Sequence, residues 1–108
     1  MLRPPRIWIS SATPKAGERV RVRAQVDHRM ETGLRTDDGG KTILRNITNR
    51  FEATLAGQRL FLWSPEISVA QDPYIEFLFV ARKSGTLNMV WTDDAGKTQT
   101  AARELKVG

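Results

Sequence analysis

The sequence holds one histidine, His28, and Glu31 stands three residues after it. An imidazole can take up a proton at neutrality and a carboxylate can fix its tautomer, so the two have the parts of a general base. Nothing completes the set: no nucleophile, second histidine or metal-ligating group is spaced with them, and the expectation is a structural histidine at a strand end. The chain has no cysteine, which excludes disulfides, thiolate metal ligands and covalent thiol chemistry on it. One imidazole and no thiol leave mostly hard carboxylates for a metal, so neither zinc nor copper is expected, and no cofactor. Asp37-Asp38 lacks the alternating oxygen ligands and terminal glutamate of a calcium loop, and it reads as a turn.

Gly40-Lys41-Thr42 and Gly96-Lys97-Thr98 resemble the end of a phosphate-binding loop. That loop needs a glycine five residues before its second one, so that backbone amides can wrap the phosphates, and those positions hold Arg35 and Trp91. Both fragments read as hairpin turns. The chain is expected to be non-catalytic.

The elements around these residues are strands. From Glu18 to Asp27 the sequence alternates, with Val20, Val22, Ala24 and Val26 on one face and Arg19, Arg21, Arg23 and Gln25 on the other. Further runs cover Ile7 to Ile9, Phe51 to Leu55, Arg59 to Trp63, Tyr74 to Ala81, Thr86 to Thr92 and Lys97 to Val107, separated by turns such as Ala56-Gly57-Gln58 and Asp93-Asp94-Ala95-Gly96. Met30 to Arg50 is the least regular piece, and Ser64 to Gln71 reads as a single helical turn after Pro65. Seven or so short strands in 108 residues predict one domain, residues 1–108, an all-β, immunoglobulin-like antiparallel β-sandwich. Its expected core includes Ile9, Val20, Val22, Val26, Phe51, Ile75, Phe77, Phe79, Leu87, Met89 and Trp91. No apolar run is long enough to span a membrane, and the first ten residues break at Pro4-Pro5, so neither a membrane segment nor a signal peptide is expected.

The net charge of +5 lies in the first half, where residues 1–54 hold 11 Lys and Arg against 6 Asp and Glu. A basic surface attracts polyanions. Here, however, the arginines of the Glu18–Asp27 strand are interleaved with Val and Ala, which cannot stack bases, so a solvated or steering face is expected and no nucleic acid.

Two runs break the one-sided rule for a sheet exposed to water. Leu60 and Leu62 oppose Phe61 and Trp63, and Tyr74, Leu78 and Val80 oppose Ile75, Phe77, Phe79 and Ala81. Strands apolar on both faces need cover on both, so Leu60, Leu62, Tyr74, Leu78 and Val80 are expected to form a partner-binding face. The irregular Met30, Glu31, Thr32, Gly33 and Arg35 are expected to form an exposed binding loop, with Gly33 permitting close approach of another chain.

The run His28-Arg29-Met30-Glu31-Thr32-Gly33 with Arg35 resembles the His-x-Met-Glu-Thr-Gly segment of the SoxZ family. Arg45, Ile47, Phe51, Asp72-Pro73-Tyr74, Ser84-Gly85-Thr86-Leu87 and Trp91-Thr92-Asp93 follow in that family's order. The sequence departs from the family at Asp72, where Asn is usual, at Leu44, where Pro is common, and at the Gly57 turn, which lacks its usual Asn. The resemblance implies the cysteine-free subunit of a SoxYZ sulfur carrier of thiosulfate oxidation. It would be paired as a heterodimer with a SoxY-like subunit whose C-terminal cysteine arm holds the sulfur, and it would meet other Sox enzymes through that complex. It also implies a periplasmic location reached by export together with the partner.

Overall fold

The alternation of the arginine-striped run becomes a strand, Arg19–Gln25, in which Val20, Val22 and Ala24 are buried and Arg19, Arg21 and Arg23 face water. The computed structural model describes residues 3–31, 33–64 and 72–108. It shows seven strands: β1 (Arg6–Ile9), β2 (Arg19–Gln25), β3 (Thr48–Leu55), β4 (Gln58–Trp63), β5 (Tyr74–Val80), β6 (Gly85–Asp93) and β7 (Thr98–Leu105). They form two antiparallel sheets, ordered β1-β2-β5 and β4-β3-β6-β7. This is the expected immunoglobulin-like sandwich. The helical turn expected from Ser64 to Gln71 falls, beyond Ser64, outside the described residues.

With no disulfide available, aromatic packing joins the layers. The Phe51 ring of β3 lies 4.8 Å from Trp91 of β6 and 6.0 Å from Phe77 of β5, while Phe61 of β4 stacks on Phe77 at 5.3 Å with the planes 6° apart. Such pairs contribute about 0.5–1.5 kcal/mol each beyond the area they bury. The expected core residues are buried, apart from Ile9, which is half-buried against the others. Because β4 and β5 are, among the described residues, the edges of their sheets, the Phe61–Phe77 stack brings two edge strands side by side.

The pairing of β3 with β4 slips by one residue: Ala53 faces Phe61 but Thr54 faces Arg59, so Leu60 is an extra, unpaired residue. A bulge of this kind breaks strict alternation. The hairpin itself turns through Ala56 and Gly57, both at positive φ (51° and 81°), between the paired Leu55 and Gln58. This is the backbone of a two-residue primed turn, and alanine is a poor occupant of its first position. Ala56→Asn is therefore expected to stabilise the chain by about 0.5–1 kcal/mol, read as a melting temperature a few degrees higher. An unchanged or lower melting temperature would contradict this reading of the turn.

Within Met30 to Arg50, the described residues ahead of β3 form a two-stranded arm. Glu31 pairs with Asn46 and Thr36 with Thr42, and the turn at its tip is held by Asp37, whose carboxylate accepts hydrogen bonds from the Gly39 and Lys41 amides. Asp37 and Gly40-Lys41-Thr42 are thus hairpin residues, as their spacing indicated. Gly96-Lys97-Thr98 likewise turns β6 into β7.

Candidate functional site

The outward side of the three-stranded sheet collects, row by row, two features that are separate in sequence. Cross-strand pairing sets Arg19 beside Val80, Arg21 beside Leu78, Arg23 beside Trp8 and Glu76, and Gln25 beside Tyr74. The arginine row and the apolar row therefore share one surface. Trp8, Tyr74, Leu78 and Val80 are 49%, 52%, 55% and 40% exposed. Glu76 at the centre of the face is within 3.3 Å of both Arg21 and Arg23 and accepts a hydrogen bond from the Tyr74 hydroxyl at 3.0 Å. Partial desolvation, helped by that bond to Glu76, raises the Tyr74 pKa. The Arg23 guanidinium also lies 4.7 Å above the Trp8 ring. Two of the three arginines are thus engaged within the sheet, and Trp8 and Tyr74 flank a shallow hollow of about 270 Å³. Charge is spent locally at Arg21, Arg23 and Glu76, and apart from Arg19 at one end the side chains left facing outward along β5 are apolar.

Several expected partner residues stand elsewhere. Leu62 is opposite Glu52 on the outward side of the four-stranded sheet, across the sandwich from Leu78, so the two apolar strands do not make one face. Leu60 packs against the core instead of sharing the side of Leu62, because the bulge turns it inward beside Phe61. Met30 is buried, not exposed: its sulfur accepts a hydrogen bond from the Thr48 amide. The arm does not cover the β5 face. Its described contacts run to the β6–β7 turn, through Arg45 to Asp94 at 2.8 Å and the Ala95 amide to Asn46.

At the base of the arm the histidine acquires a carboxylate, but not Glu31. His28 is buried, with Nε2 3.1 Å from Asp93 Oδ2, while the Met30 amide donates to Nδ1 at 3.0 Å. Since Nδ1 is an acceptor, the ring proton sits on Nε2 and points at Asp93. Asp93 also accepts from the Ala95 and Lys97 amides, so the ring ties the arm's base to the β6–β7 turn. The pair works as a staple, and both side chains also line a small cavity of about 100 Å³. Glu31 is instead bridged by Arg29 at 2.9 Å and by Arg35. Gly33, at φ 85°, lies so close to Arg45 that an added Cβ would meet that residue's Cβ at 3.3 Å; the close approach is within the arm. Thr32 lies outside the described residues. The arm also shows Leu34 and Leu44, 85% and 84% exposed, which strand periodicity did not single out.

The Arg35 guanidinium holds the Glu31 carboxyl below its usual range. Burial pushes Asp94 up, but hydrogen bonds from Asn49, Arg45 and the Ile47 amide outweigh it and hold that carboxyl low too. Groups with depressed folded-state pKa values stabilise above the ordinary carboxylate range, and that contribution is lost as pH falls through the folded values. The melting temperature is expected to stay level from neutrality to about pH 5 and to fall below about pH 4.5. The acid limb should be shallower in an Arg35→Ala, Asp94→Asn variant; an identical limb would count against these pairs as its source.

A family model, Sulphur oxidation protein SoxZ, matches residues 9–104. The chain belongs to the SoxZ family. No curated protein matches it in sequence. Among solved structures, the sulfur carrier protein SoxY from Chlorobium limicola f thiosulfatophilum is similar with a TM-score of 0.64 at 13% identity, over 98% of this chain and 80% of that one. A superoxide reductase (neelaredoxin) from Ignicoccus hospitalis reaches 0.68 at 18% identity, over 99% and 82%. A putative superoxide reductase from Thermotoga maritima reaches 0.67 at 10% identity, over 98% and 86%. At these identities the likeness is one of fold. Among the described residues no group of three or more His, Cys, Asp or Glu is placed to hold a metal ion, and no helix is long and apolar enough to cross a membrane. The SoxZ motif is now physically legible: His28 staples the arm, Met30 anchors it in the core, Glu31 cross-links its base and Gly33 lets its strands close.

Proposed function

We propose that this chain is the non-catalytic half of a SoxYZ-type sulfur carrier, a heterodimer in which it holds a SoxY-like subunit against the outward face of β1-β2-β5. The partner's C-terminal cysteine would carry covalent sulfur intermediates of thiosulfate oxidation, and other Sox enzymes would meet the pair in the periplasm, to which the two subunits are exported together. The observation that carries this reading is the uncovered apolar row Trp8, Tyr74, Leu78 and Val80 on a SoxZ-family chain that has no thiol. Fully burying an exposed aliphatic side chain contributes about 1.5–3 kcal/mol; these four are half-buried already, so each has about half of that left to contribute, enough together to centre an interface. The exposed arm residues Arg35, Leu34 and Leu44 extend the available contact beyond the sandwich.

Co-expression with a SoxY-like protein from the same genome should give a one-to-one complex in native mass spectrometry. If both subunits stay monomeric at micromolar concentration, the reading fails.

A further inference from the structure

β4 and β5, edge strands among the described residues, frame a cleft of about 350 Å³ that shares Val80 with the outward apolar row and otherwise lies beside it. Leu55, Leu60 and Phe79 make it apolar, Val80 borders it, and Arg82 and Lys83 stand at its rim. The bulge that turns Leu60 toward the core helps to build it. We propose that this cleft is a second docking site, which takes an extended, acidic segment of a protein other than the SoxY-like subunit.

Three observations converge on that ligand class. Among the described residues β5 has a sheet neighbour on one side only, so the backbone groups along its other edge can receive a further strand. Its sequence carries one charge, Glu76, and no lysine or proline of the kind that protects an exposed edge. Most described arginines are ion-paired, for example Arg3 and Arg6 with Asp27, and Arg50 and Arg59 with Glu52. Arg19, Arg82 and Lys83, gathered where β2 begins and β5 ends, have no carboxylate partner among the described residues. Glu18 at the same end directs its carboxylate to the Lys15 amide. A strand laid along β5 would place an aliphatic side chain in the cleft and meet this positive end with its own Asp or Glu residues. The His28 staple and the arm are at the opposite end of β5, beside Asp72, so the two ends of the sandwich can engage different proteins.

The test uses the full chain and three fluorescent nine-residue peptides read by anisotropy. The first alternates threonine and valine and ends in three acidic residues, the second ends in three lysines, and the third is the acidic peptide with a central proline. The acidic peptide should bind at least about tenfold more tightly than either control, because charge and strand pairing both contribute. Arg82→Glu combined with Lys83→Glu, both at exposed positions, should reverse the preference between acidic and lysine peptides. Circular dichroism would verify that the variant is folded, and Lys83→Glu alone would replace it if it were not. Equal affinity for the three peptides, no binding of the acidic one up to about 1 mM, or no effect of charge reversal would overturn the proposal. The acidic peptide should also bind the complex with the SoxY-like subunit; its displacement by that subunit would overturn the assignment to a different protein. Peptide binding to the chain alone is independent of whether that complex forms.

Discussion

Leu78→Glu is expected to leave the chain folded and to weaken its complex with a SoxY-like subunit by about a hundredfold or more. Leu78 lies midway along β5 with its side chain directed to water and more than half exposed, so the folded monomer loses little packing when a carboxylate replaces it. The residue across the sheet is Arg21, which would gain a second carboxylate beside Glu76, so the monomer's melting temperature should move by no more than about 4 °C. In the complex the same carboxylate would be desolvated against an apolar partner surface, and that is costly for an unpaired charge. Leu62→Glu is the matched control, since it stands on the outward side of the other sheet. Size-exclusion and titration calorimetry on the two variants separate the alternatives. Equal loss in both, or undiminished affinity in Leu78→Glu, would remove the three-stranded face as the interface.

That control exists because of what strand periodicity can and cannot encode. Alternation shows which residues of one strand share a side, and for β2 and β5 it identified both the core and the solvent rows from sequence. It does not show which sheet a strand joins. Leu62 and Leu78 look equivalent along the chain, yet β4 pairs with β3 and β5 with β2, which places the two leucines on opposite outer faces. Trp8 belongs to the surface for the same reason: a short strand gives little period to read, and only its pairing with Arg23 places it there. The bulge at Leu60 is silent in sequence as well, since nothing about Arg59-Leu60-Phe61 marks an extra residue. In the arm the pattern misleads in the other direction. Met30 follows a regular strand as if in a loop, but the His28 ring and the Thr48 amide hold it inside at φ 59°, a conformation non-glycine residues adopt only when their surroundings fix it.

The partner of His28 was the least accessible of these features, being 65 residues away, and its removal carries the largest expected cost in stability. Asp93 is buried at the end of β6 and satisfies three donors: the His28 ring, the Ala95 amide and the Lys97 amide. Asp93→Ala would leave these donors without an acceptor in a partly closed setting. Each unsatisfied buried group costs about 1–3 kcal/mol, and solvent reaching the turn amides offsets part of it, so a loss of about 2–5 kcal/mol is expected by urea unfolding. Asp93→Asn separates the contributions. Its carbonyl oxygen can still receive the two turn amides, but its amide group then faces the protonated Nε2 of His28, donor against donor. Moving the ring proton to Nδ1 would instead oppose the Met30 amide. The asparagine variant should therefore be destabilised by about 1–2 kcal/mol, with the effect concentrated at the arm. Faster amide exchange at Met30 and Glu31, with unchanged protection in β2 and β3, would show it. A loss below about 0.5 kcal/mol in Asp93→Ala would mean that the staple does not hold the arm.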